Sequence, residues 1–224
     1  MSTPRPNILF IFPEDMRSDC ISAYGNPHIR TPNLDQLVSR GFNFRRNFCA
    51  GANSGAVCIP SRAMLISGKH WMHSNNQLEG ETTFPQLLRQ NGYATFITGK
   101  WHNGAESALR SFERGQAVFV GGMSDHTRVP VQDIEGDVFV NQRIGEKFST
   151  DLFADAAIKF LQSYDEEQPF VAYCAFTALH DPRQPKTEYV EEYYKERPPL
   201  PANFAPVRGR DEDLGPRPHT GCSH

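Results

Sequence analysis

No apolar run in this 224-residue sequence approaches the roughly 18 residues that a membrane-spanning helix needs. Runs such as Ile8–Phe12 are far shorter, which excludes a spanning helix and leaves no membrane partner to expect. Met1 to Pro6 hold no long apolar stretch with a cleavage site, so no export signal is evident. The expected location is cytoplasmic as written, or periplasmic or secreted if a signal has been removed. Five cysteines (Cys20, Cys49, Cys58, Cys174 and Cys222) are irregularly spaced and include no Cys-x-x-Cys pair. A disulfide scaffold and a zinc or dithiol redox site are thereby excluded. Asn-x-Ser/Thr is also absent. Charge of one sign is not concentrated anywhere: 23 Lys and Arg against 26 Asp and Glu give a net charge of -3, which removes the electrostatic case for a nucleic-acid partner.

Bulk for a core is present, since 38% of the residues are hydrophobic and 16 are Phe, close to ordinary globular usage. Three short segments, Asn7–Phe12, Tyr93–Thr98 and Phe170–Phe176, are apolar nearly throughout and read as strands buried on both faces, hence as a largely parallel, covered sheet. Helix signals lie between them. Thr31 stands as N-cap before Pro32 with Gly41 past the end, and Thr83-Phe-Pro-Gln86 is a capping box closed by Gly92. Thr150 is placed to cap a third helix with a stripe of Leu152, Phe153, Ala156, Ala157, Phe160 and Leu161. Alternation of strand and helix predicts an α/β fold with a mostly parallel central sheet flanked by helices. Gly104 to Phe148 reads as loops and a hairpin. From Arg197 onward six prolines and seven apolar residues among 28 predict coil, dividing the chain into a domain over 1–196 and a Pro-rich tail over 197–224.

Each predicted strand runs straight into a polar cluster: Pro13-Glu14-Asp15, Gly99-Lys100-Trp101-His102, and Thr177 to His180-Asp181-Pro182. Parallel strands bring all three to one sheet edge, where open α/β sheets bind ligands. A fourth element, Ala56 to Gly68, reads as a helix with Pro60 in its first turn and Gly68 at its end. Cys58 then stands at the helix N-terminus, where free amides and the helix dipole favour a thiolate or an oxyanion. Arg62, one turn in, faces the same anion. Spacing alone equally fits a buried structural cysteine beside a surface arginine.

The box Cys58-x-Pro60-Ser61-Arg62 followed by Ser67-Gly68 resembles the signature of the type I sulfatases. Asn7 to Asp15, Thr31-Pro-Asn-Leu-Asp-Gln-Leu, Gly99-Lys-Trp-His102 and His180-Asp-Pro182 are similar to that family's segments, in its order, over roughly residues 6 to 195. The resemblance implies an alkaline-phosphatase-like α/β fold, here read as the N-terminal portion and C-terminally incomplete. It implies a sulfuric ester hydrolase in which Cys58 is converted to formylglycine by a formylglycine-generating enzyme; the aldehyde hydrate attacks sulfur and later expels sulfate by elimination. Glu14 and Asp15 would hold Ca²⁺, with Mg²⁺ the other hard cation of the right type. Arg62 would stabilise the formylglycine, Lys100 and His180 would grip sulfate oxygens, and His102 would move protons at the hydrate. The substrate would be a small-molecule or carbohydrate sulfate ester.

Departures from the pattern are specific. Glu14-Asp15 stands where the family usually has Asp-Asp, and Ile59 where a small residue is common. The family's later metal ligands, ahead of an Asp-Asn-Gly or Asp-His-Gly turn, have no counterpart after His180. Two other readings follow: a phosphomonoester or phosphonate ester hydrolase of the same superfamily, and a truncated, inactive sulfatase-like chain.

Overall fold

The computed structural model describes residues 5–53, 57–200 and 204. They fall into two compact units, one of residues 5–17, 46–52 and 57–184, the other of 18–45, 53, 185–200 and 204.

The first unit is built on a six-stranded sheet. The strands are β1 (Ile8–Phe12), β2 (Ala94–Lys100), β3 (Arg114–Phe119), β4 (Pro130–Glu135), β5 (Val138–Ile144) and β6 (Phe170–Ala175), in spatial order β1-β6-β2-β3-β4-β5. The first four in that order run parallel, and β4 and β5 form an antiparallel hairpin on the β3 side. The three strands predicted from apolar runs are thus next to one another and parallel, with their carboxyl ends along one edge.

Helices cover both faces, for a reason visible in the strand residues. On one face Phe10, Phe12, Ile97, Val118, Tyr173 and Ala175 pack with Ala63 and Ile66 of α2 (Cys58–Ser67), Phe84 of α3 (Phe84–Gln90), and Ala108 of α4 (Ala105–Ser111). On the other, Ala94, Phe96, Ala117, Phe119 and Ala172 pack with Phe153, Ala156 and Phe160 of α5 (Ser149–Ser163). Neighbours such as Phe96 and Ile97 face opposite ways, as the period-two pleat requires. Phe96 stacks on Phe160 at 4.2 Å between ring centres, a contact worth about 1 kcal/mol beyond burial alone.

Four sequence expectations need correction. β1 is covered on one face only: Leu9 and Ile11 are exposed, because β1 is an edge strand and α5 packs over β2, β3 and β6. The stretch 104–148 holds α4 and β3 besides the hairpin. Thr150 lies inside α5, which starts after Phe148 without a side-chain cap. Thr31 precedes α1 (Pro32–Arg40) but does not cap it; its hydroxyl bonds Asp35 at 2.9 Å. The box of Thr83 and Gln86 on α3 forms as predicted.

The second unit carries α1 and α6 (Thr187–Lys195). Asp35 organises its first segment, accepting from the hydroxyls of Ser22 and Thr31 and from the Ala23 amide; the Ser22 bond leads in holding this carboxyl below the usual range. Arg30 pairs with Glu192. Most of the predicted tail, residues 201–203 and 205–224, lies outside the described residues.

Candidate active site

The backbone first decides which side chains can meet. β1 ends at Phe12, whose carbonyl accepts from the Phe176 amide at 2.9 Å, and two further bonds join the Glu14 turn to the next loop: Glu14 N–H to Ala178 O at 3.1 Å and Leu179 N–H to Glu14 O at 2.9 Å. The Glu14 and His180 segments are therefore stitched together. On the other side of β6 from β1, β2 reaches its end at Gly99-Lys100. Gly99 has φ 84°, and a Cβ there would overlap the Ala175 carbonyl on β6; only glycine lets the two strands close at this point. α2 brings Cys58 to the same edge as its first residue.

Three charged groups meet in the interior. Glu14 (5% exposed), Arg62 (1%) and Lys100 (0%) are all buried. Arg62 Nη2 pairs with Glu14 Oε2, and Lys100 Nζ stands 3.2 Å from Glu14 Oε1. Arg62 Nη1 donates to the Lys100 carbonyl at 2.7 Å and reaches the Tyr173 hydroxyl at 3.5 Å. Its guanidinium also lies 4.9 Å from the centre of the Phe12 ring, a cation–π contact. Burial pushes the Glu14 carboxyl up, but the Arg62 and Lys100 charges outweigh it and hold the group below the usual range. Burial also lowers Lys100, with Glu14 opposing. The surface-arginine alternative is thus wrong: Arg62 is a core residue.

Two cations face one carboxylate, and two of their donors are left over. Arg62 Nε is buried and makes no hydrogen bond, and Lys100 Nζ, buried with three N–H donors, has Glu14 Oε1 as its one close acceptor among the described residues. Buried donors without acceptors are costly and rare, and a surplus of buried positive charge asks for an anion.

Cys58 and His102 stand beside this group, Sγ to Nδ1 at 3.5 Å. Burial raises the Cys58 thiol, against which Lys100 works. Burial thus works against the thiolate that a helix N-terminus favours, and keeps the side chain at position 58 toward its thiol form. His102 is lowered to about 4, first by burial and then by the Lys100 and Arg62 charges, with His180 adding a smaller push. It is a neutral imidazole at pH 7, held at φ 72°. Such a backbone is uncommon for a residue with a side chain and clusters at functional sites. The turn at Gly122 lies against this ring, and a Cβ there would overlap Nε2 of His102.

The structure therefore brings together Glu14, Cys58, Arg62, Lys100 and His102, and sets His180 within electrostatic reach of His102. His180 is half-buried, with Nδ1 at 2.9 Å from the Asp181 carbonyl. Asp15 follows Glu14 but is exposed, at φ 50°. Among the described residues no group of three His, Cys, Asp or Glu could hold a metal ion, and both Glu14 oxygens face cations. These donors do not fit a divalent cation, which wants six or more oxygens.

Sequence reasoning missed three supporting residues. Asn103 is fully buried and donates to the carbonyls of Ile59 at 3.0 Å and Asn76 at 2.7 Å, tying the end of β2 to the first turn of α2. Tyr173 backs Arg62 from within a strand. His126 is buried behind the His180 loop. Asn103 adjoins a motif already singled out; the other two carry no local signal.

The family model described as Sulfatase matches residues 6–215. This chain belongs to the sulfatase family. A similar curated relative is an N-acetylglucosamine-6-O-sulfatase of Bacteroides thetaiotaomicron, 32% identical over 217 residues, covering 93% of this chain and 37% of the relative. Among solved structures, one in complex with its substrate D-glucosamine-2-N,6-O-disulfate is 29% identical with a TM-score of 0.76, over 89% of this chain and 40% of that one. A member of the alkaline phosphatase superfamily from Vibrio parahaemolyticus, 18% identical over 84% of this chain and 44% of its own, shares the fold with a TM-score of 0.54. The sulfatase-family chain described here thus spans well under half the length of these relatives, and its fold is the expected alkaline-phosphatase-like α/β sheet.

Proposed function

We propose that this chain carries the sulfate-ester-hydrolysing site of a sulfatase, with formylglycine formed at Cys58 by a formylglycine-generating enzyme. One observation carries the reading: two buried cations, each with an unpartnered donor, sit beside a neutral Cys58–His102 pair at a helix N-terminus. Electrostatic stabilisation of developing oxyanion charge by such fixed donors is commonly the largest catalytic contribution. A protonated thiol is a poor nucleophile, which favours a modified side chain over cysteine catalysis.

Formylglycine at position 58 would supply an aldehyde whose hydrate offers one hydroxyl for attack and a second for releasing sulfate. The chain's own groups do the rest. Lys100 Nζ and Arg62 Nε hold the sulfate oxygens. His102, neutral and with Nδ1 toward position 58, accepts a proton from the attacking hydroxyl and returns it later. Glu14 keeps Arg62 and Lys100 in place and leaves their sum positive, and His180 grips a further sulfate oxygen. Ca²⁺ or Mg²⁺ at Glu14 and Asp15 enters no step of this scheme.

One relative is named for a sulfated amino sugar and another was solved with one as its substrate, and a carbohydrate sulfate is the proposed substrate class. Paired para-nitrophenyl sulfate and para-nitrophenyl phosphate, assayed after co-expression with a formylglycine-generating enzyme, test the reaction. Turnover of the sulfate with kcat/KM at least about tenfold above the phosphate, a difference of ~1.4 kcal/mol in transition-state stabilisation, is expected. A preference for phosphate would transfer the site to the phosphoester reading, and absence of both activities would favour an inactive chain.

A further inference from the structure

We infer that His126 is a positioning residue that fixes the loop bearing His180. The inference rests on the sulfate-ester reading, in which His180 grips a sulfate oxygen.

His126 lies between β3 and β4 and is 3% exposed. Its Nε2 is 3.1 Å from the His180 carbonyl. A carbonyl only accepts, so the ring proton is on Nε2 and Nδ1 is the acceptor. Nδ1 stands 2.9 Å from Ser149 Oγ and 3.2 Å from Thr177 Oγ1. Thr177 donates its hydroxyl proton to Ser149 at 2.9 Å, leaving the Ser149 proton for Nδ1. Every proton is then spent in one direction, from Thr177 to Ser149 to His126 to the His180 carbonyl.

The same residue holds the far end of the loop. The His126 amide donates to Gln184 Oε1 at 2.9 Å, and Gln184 Nε2 returns to Asp125 Oδ2 at 3.1 Å. Ser149 N–H donates to the His126 carbonyl at 2.7 Å, and the ring stacks on Phe148 with centres 5.6 Å apart. The segment 177–184 is thus held by the Glu14 turn on one side and by His126 on the other. A phenylalanine would fill the same volume against Phe148; what it lacks is the N–H aimed at His180. Small displacements of a substrate-gripping group cost about 10²-fold in rate.

The test compares His126→Phe and His126→Gln in the full chain, reading kcat/KM on para-nitrophenyl sulfate and the histidine Cε1–H resonances by NMR. Expected for His126→Phe is a displaced His180 resonance and a loss of about 10²-fold. His126→Gln, whose amide can reach the same carbonyl, should restore the resonance and most of the rate. An unmoved His180 resonance in His126→Phe, or a glutamine variant no better than phenylalanine at equal melting temperature, would overturn the inference. Should the parent lack turnover, the sulfate reading fails while the resonances still decide the positioning role. Should His126→Phe fail to fold, Ser149→Ala serves, expected to shift His180 the same way but less; no shift would contradict the proposal.

Discussion

Replacing Cys58 with alanine is expected to abolish turnover of an aryl sulfate, a loss of roughly 10⁶-fold in kcat, as when a hydrolase loses its nucleophile. The fold should survive within about 1 kcal/mol. Cys58 is only half-buried, and among the described residues its side-chain partner is His102, at a long contact. The core beneath it rests on Ala63 and Ile66, one and two turns further along α2, and not on the thiol. Kinetics and urea unfolding on the same samples check both halves. Retained turnover in Cys58→Ala would remove position 58 from the chemistry, and a collapse of stability would make its role structural.

The second large effect is on stability. Glu14→Gln keeps the volume of the side chain but strips the carboxylate that pairs with both Arg62 and Lys100. Two buried cations are then uncompensated, and breaking a buried pair this way costs about 3–5 kcal/mol. The loss should appear as a lower urea midpoint at unchanged slope. The sign with pH follows from the lowered Glu14 carboxyl: the contribution is complete above the ordinary carboxylate value and drains away as pH falls through the still lower folded value. Parent and variant curves should therefore converge in acid. A loss of less than about 1 kcal/mol at neutral pH would mean that water, not Glu14, balances the two cations.

The sheet edge was legible because its signals are local. Apolar runs at Tyr93–Thr98 and Phe170–Phe176 mark strands buried on both faces, and the polar clusters that follow them must lie at their carboxyl ends. Pro60 and Gly68 likewise bracket α2 and fix Cys58 at its start. β3 was hidden because Arg114, Gly115 and Gln116 open it with little apolar content, and Gly115 is demanded by crowding from Val118, Ile97 and Ile134. Thr150 misled as a helix cap because α5 already starts at Ser149, whose hydroxyl goes to His126. At Cys58 the helix position is legible in the sequence, whereas the burial that raises its thiol is a property of the fold. Glu14 was read as a metal ligand with Asp15 from the family resemblance; its partners Arg62 and Lys100 lie far along the chain, and no short motif records that pairing.

Mass spectrometry of the peptide containing Cys58, taken from protein co-expressed with a formylglycine-generating enzyme, tests the central claim most directly. The account predicts the mass of an aldehyde at position 58, trapped as a hydrazone by a hydrazine probe and absent from Cys58→Ala. An intact thiol in fully folded protein that nonetheless turns over an aryl sulfate would contradict it.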